Sequence, residues 1–142
     1  MNNFKKKALR IVSIILALIC CLSLFTPIAS AEGSLYIGCY LAGMTAGNNG
    51  QVTITFQITG TETMDQIGAI SIALYKDGKE VKTYSYTSTS GMMAYNTYVH
   101  GNEYTYNGVV GSSYFAYIMF QAGKNGDWDN RTAQTKTVVA KN

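Results

Sequence analysis

Few side chains in this sequence can carry chemistry, and they are thinly spread. His100 is the sole histidine among 142 residues. A Ser-His-Asp or Cys-His arrangement would need it as the base, yet its neighbours Tyr98, Val99 and Gly101 put it at a strand end or in a loop, where a lone histidine is ordinarily structural or solvated. Glu62 and Asp65 are best read as structural acids on a short helical turn over residues 61–68, where negative charge complements the helix N-terminus and Asp65 caps backbone amides. One histidine and three cysteines, two of them in the N-terminal apolar run, do not make a zinc site. No catalytic residue is assigned, and the expected class is non-enzymatic.

The segment KNGDWDN is richer. Asn125, Asp127 and Asp129 recur at i, i+2 and i+4, the oxygen-ligand rhythm of a calcium loop, but the sixth position is Asn130 instead of Gly and the twelfth is Lys136 instead of Glu. A solvated turn is the expectation, and calcium is the one cofactor the spacing leaves open. Trp128, between Asp127 and Asp129, has a second reading: sugar-binding surfaces set an aromatic ring for stacking beside acceptors for hydroxyl groups. Tyr84, Tyr86 and Tyr117 extend that candidate surface, as do Tyr36, Tyr40, Tyr95 and Tyr98. The competing account is that tyrosine is a favoured strand residue and these rings cover the outer face of a sheet.

The elements that would position these groups read as strands. In the run from Glu103 to Ala122, Tyr114, Ala116, Ile118, Phe120 and Ala122 fall on one face at period two, and Phe115, Tyr117, Met119 and Gln121 on the other. A strand apolar on both faces belongs in the middle of a sheet. Asn107 and Gly108 offer a turn before it, and Gly111 and Tyr114 are structural candidates for a corner in which the tyrosine hydroxyl bonds back to the backbone. Residues 34–42 form a strand with Leu35, Ile37, Cys39 and Leu41 inward. Val52, Ile54, Phe56 and Ile58 give the clearest alternation, opposite a wholly polar face, and Gly60 is expected to end that strand. Further strands are expected over 69–76, 80–87 and 132–140, with loops over 87–97 and 123–130. About seven strands at spacings of 8 to 12 residues predict an all-β antiparallel sandwich of immunoglobulin or fibronectin type III-like form.

The N-terminus reads as a secretory signal peptide over residues 1–31. Lys5, Lys6, Lys7 and Arg10 precede the apolar run Ile11 to Phe25, and Ala29, Ser30 and Ala31 supply small residues for cleavage. The run is short of the roughly 20 residues needed to span a bilayer. Ile19 or Cys20 stands where a lipidated Cys20 or Cys21 would need a small residue before it. Residues 32–142 are then a single secreted domain. With the leader gone, seven of the 11 Lys and Arg residues face eight Asp and Glu, a net charge of −1 against +3 for the whole chain. Nucleic acid is therefore an unexpected partner, as is a membrane after cleavage. Cys39 remains as a single thiol, so no intramolecular disulfide is expected.

At TGTETMDQIGA (59–69), YKDG (75–78), TSGMM (89–93) and YFAYIMFQAG (114–123), the sequence resembles a group of uncharacterised small secreted proteins of clostridia-like Gram-positive bacteria, a domain of unknown function. The resemblance implies a bacterial origin and a sandwich fold, and transfers no site residues. The leading expectation is an exported binding or interaction module at or outside the cell surface, with a protein or a cell-wall glycan as partner. The alternatives are a carbohydrate-binding module using Trp128 and exposed tyrosines, or a small bacteriocin-like effector.

Overall fold

The computed structural model describes residues 34–142; the expected leader and its boundary lie outside the described residues. All regular structure among them is extended. The strands are β1 (Ile37–Ala46), β2 (Gln51–Lys76), β3 (Lys79–Ser85), β4 (Met93–Asn107), β5 (Ser113–Lys124), β6 (Asp127–Gln134) and β7 (Val138–Val139). Every pairing is antiparallel, and the strands form one curled sheet whose backbone order is β1-β2-β5-β6, with β3 and β4 on the other side of β2 and β7 beside β5.

The 26 residues of β2 run through the place where a break and a helical turn were expected. Gly60 lies inside the strand, because the chain folds so tightly there that a Cβ would come within 2.9 Å of the Glu62 carbonyl oxygen and of Met64 Cγ. Met64 and Ile67 point inward as the helical reading required, but from a strand whose pairing with β4 skips between Thr59 and Met64. Such irregularities bend a strand and change which face its side chains take. Before the bend β2 pairs with β1 and β4, and after it with β5 on one side and with β3 and the start of β4 on the other. The sheet thus has two leaves that share β2.

The core lies on the inner face of this curled sheet. Val52, Ile54, Phe56 and Ile58 come from the first half of β2, Ile72 and Leu74 from the second, and Tyr114, Ala116, Ile118, Phe120 and Ala122 from β5. All are buried, and each large apolar side chain contributes roughly 1.5–3 kcal/mol relative to exposure. Rings bridge the leaves: Phe56 and Tyr40 approach Phe120 with centroids 6.3 and 5.2 Å apart.

Ile37 is buried as expected, but Leu35 before it is exposed and β1 takes the opposite phase beyond it. The register slips between Ile37 and Cys39, so Tyr40, Ala42 and Met44 turn inward, while Cys39 is exposed and Leu41 is 61% exposed. A single extra residue flips every later side chain to the other face.

Strands β4 and β5, expected to meet at a corner, do not pair with each other. They flank β2 on opposite sides, and residues 108–112 cross from one leaf to the other. The positive-φ residue of this crossing is Gly111 (φ +84°). Fully buried Tyr114 accepts the Val109 N–H at its hydroxyl, 2.8 Å away, beneath Gly108, where a Cβ would come within 2.7 Å of that oxygen. The expected loop over 87–97 is shorter, since β4 begins at Met93. It is pinned by Tyr104, whose hydroxyl donates to the Ser90 carbonyl, by His100, whose Nε2 donates to the Gly91 carbonyl, and by buried Met92. The final strand is interrupted: Thr135 Oγ1 accepts the Ala116 N–H at 2.9 Å between β6 and β7.

Candidate functional site

The expected loop over 123–130 is a β-hairpin. Asn125 (φ +54°) and Gly126 (φ +86°) make a two-residue turn of the type that suits the twist of paired strands, with Lys124 opposite Asp127 and Gly123 opposite Trp128. The two acids assigned to a helical turn hold this hairpin instead. Asp65 accepts the Asn125 N–H at 2.8 Å, and Glu62 pairs with the Lys124 ammonium, whose pKa its hydrogen bond raises.

Trp128 lies against Gly123. A Cβ on that glycine would come within 1.9 Å of the indole Cε3, so the ring occupies the space a side chain would take. Gly123 is buried beneath it, while Trp128 remains 45% exposed. An aromatic ring over a cross-strand glycine recovers the packing that the glycine lacks. Beside the ring runs a ladder of amides: Gln121 Nε2 donates to Asn130 Oδ1 at 3.1 Å, and Gln66 Nε2 to Gln121 Oε1 at 3.5 Å. The register continues the Trp128–Gly123 row through Gln66 to Tyr95, which is 62% exposed.

Further along the same outer face stands a second aromatic group. Tyr75 and Phe115 stack with centroids 5.0 Å apart and planes 5° apart, and Tyr117 meets both edge-on at 5.7 Å. Met119, partly exposed, lies between the two groups. The side chains that share this face on β5 are Phe115, Tyr117, Met119 and Gln121; on β6 they are Trp128, Asn130, Thr132 and Gln134. None is charged.

The structure separates the other residues singled out in the sequence. Asp127 is exposed beside the turn. Asp129 faces the opposite side of β6, where it accepts the Ser34 hydroxyl and, at 2.8 Å, the Tyr36 N–H; the Ser34 bond and then the Tyr36 amide hold its carboxyl below the ordinary range. It therefore ties the start of the domain to β6, and it does not stand beside the indole as a sugar acceptor. Asn125 spends its backbone on the turn, and among the described residues no three His, Cys, Asp or Glu side chains gather as metal ligands. Tyr84 packs on the inner side against Tyr104, centroids 5.3 Å apart, and burial raises the pKa of both. Tyr86 is 43% exposed in the turn after β3. Of the six proposed ligand-binding residues, the structure places Trp128 and Tyr117 on one face.

Reasoning from the sequence missed Gln66, Gln121, Asn130 and Gly123. A signal for three of them was present: with Asn125 and Gly126 as a two-residue turn, Gly123 falls opposite Trp128 and Gln121 opposite Asn130. Gln66 comes from a distant strand and had none. Elsewhere, two contiguous open hollows of about 540 and 310 Å³ share Thr55, Phe56 and Gln57; Gly101 lines the first and Gly43 the second. His100, at the rim of the larger one, is packed edge-on against Phe56 and bonded to Gly91. No protein-family model, curated protein or solved structure matches this chain.

Proposed function

We propose that this is an exported, non-enzymatic binding module acting at or outside the bacterial cell surface, and that its ligand is a cell-wall or other surface glycan. The observation that carries the reading is the Trp128 ring, seated on Gly123 and half exposed beside the Gln66–Gln121–Asn130 amide ladder. A sugar ring has an apolar C–H face that stacks on an aromatic plane and a rim of hydroxyl groups that both donate and accept. Amides offer both functions to that rim without the desolvation cost of a charge. The site uses the amides in the acceptor role first given to Asp127 and Asp129. The curled sheet is read, within the same proposal, as an immunoglobulin-like sandwich of two leaves, supported by the Tyr114 hydroxyl bonding Val109 at the crossing between them.

The test is retention of the exported protein on purified cell-wall sacculi beside Trp128→Ala. Retention by the native protein that the variant loses, with the variant still folded by circular dichroism, supports the reading. Equal retention of both, or of neither, refutes it and leaves a protein partner as the better account.

A further inference from the structure

We infer that the glycan taken by this face is an extended and uncharged chain laid along β5, held at two aromatic stations: Trp128 at one end and the Tyr75–Phe115–Tyr117 group at the other. This rests on the glycan-binding reading above and adds the length, direction and charge class of the ligand.

The spacing sets the length. Trp128 sits at the level of Gly123, six residues along β5 from Tyr117 and eight from Phe115. At about 3.3–3.4 Å per residue the stations stand roughly 20–27 Å apart, several pyranose rings end to end and beyond the reach of a disaccharide. The direction follows from the register, because Met119, Gln121 and Thr132 lie between the stations on the same outer face. The ladder presents the Asn130 amide nitrogen at one end and the Gln66 carbonyl oxygen at the other, so a passing hydroxyl can donate or accept. The charge class follows from composition. No Lys or Arg lies on the β5 and β6 portions of this face to pair with phosphate or carboxylate groups, and the carboxylate beside the second station, Glu80 opposite Tyr75 on β3, accepts the Thr83 hydroxyl and would repel an anionic chain. A polymer rich in hydroxyl groups and poor in charge is what such a track solvates at least cost.

Trp128 is the only tryptophan of the chain, so intrinsic fluorescence reports directly from one station. The exported protein is titrated with β-linked glucose and N-acetylglucosamine oligomers, a disaccharide against a hexasaccharide in each series, and with a uronic-acid hexasaccharide. The expected result is a hexasaccharide Kd lower than the disaccharide Kd by about tenfold in at least one neutral series, the effect of one further aromatic contact. Tyr117→Ala should remove that gain. Met119→Arg, which adds a charge mid-track and removes no ring, should weaken the neutral hexasaccharide by a similar factor.

Equal affinity for the two lengths, no saturable change with either neutral hexasaccharide, insensitivity to both variants, or tighter binding of the uronic-acid chain would each overturn the inference. Loss of sacculus retention in Trp128→Ala alongside any of these leaves the glycan-binding reading standing. The two failures are thereby distinguished.

Discussion

Substitution of Gly123 by alanine probes the packing on which the candidate site depends. The new methyl group would meet Trp128 Cε3 at 1.9 Å, Cζ3 at 2.5 Å and the Asp127 carbonyl oxygen at 2.5 Å. Carbon atoms pack at about 3.5–4.0 Å, so the indole must withdraw by roughly 1.5–2 Å. The ring is 45% exposed and can swing outward, but the Asp127 carbonyl belongs to the backbone of the hairpin, which must also yield. Overpacking of this kind costs about 1–3 kcal/mol. For a domain of this size that is a fall in Tm of roughly 4 °C or more per kcal/mol. Two readouts separate the parts: calorimetry or thermal circular dichroism gives the cost to the hairpin, and the emission maximum of the single tryptophan gives the move of the ring into water. Alanine should lower Tm, shift the emission to the red and abolish retention on sacculi. An unchanged Tm with an unchanged emission maximum would mean that the ring does not rest on Gly123, and the argument for a preformed stacking platform would fall.

Tyr114→Phe removes the acceptor of the Val109 N–H at the crossing between leaves and should destabilise the domain by about 1–3 kcal/mol in urea denaturation; a loss under about 0.5 kcal/mol would take the corner out of the account. Asp129 titrates below the ordinary carboxylate value of 3.8 because Ser34 and the Tyr36 amide bind its ionised form. Its stabilising contribution is therefore fully present above that value and is lost as pH falls through the lower folded pKa. Asp129→Asn should lower Tm at neutral pH and flatten the dependence of Tm on pH below about 4. A variant with the same acid profile as the native protein would show that the link between β6 and residues 34–36 carries no weight.

How much could be read from the sequence differs from element to element. Alternation marked the strand of Val52 to Ile58 and the inward face of β5 correctly, because both faces of each run consistently through those segments. The same rule failed on β1: it has no term for the slip at Gly38, which sends Cys39 and Leu41 outward. Residues 61–68 show the limit of local pattern. Met64 and Ile67 satisfy a helical stripe, yet pairing with Thr97 and Ala94 of β4 makes them strand, since a distant partner supplies the hydrogen bonds a helix would have found within itself.

The sequence by itself determined the extended character of the chain, much of its core and the presence of a solvent-facing tryptophan, for these depend on residue types at short spacing. Only the tertiary structure decided that β4 and β5 flank β2 instead of each other, that Asp129 turns away from the indole, and that Gln66 arrives beside Gln121. Those outcomes depend on register, which one inserted residue reverses, and on contacts between strands far apart in the chain, whose energies no local window contains.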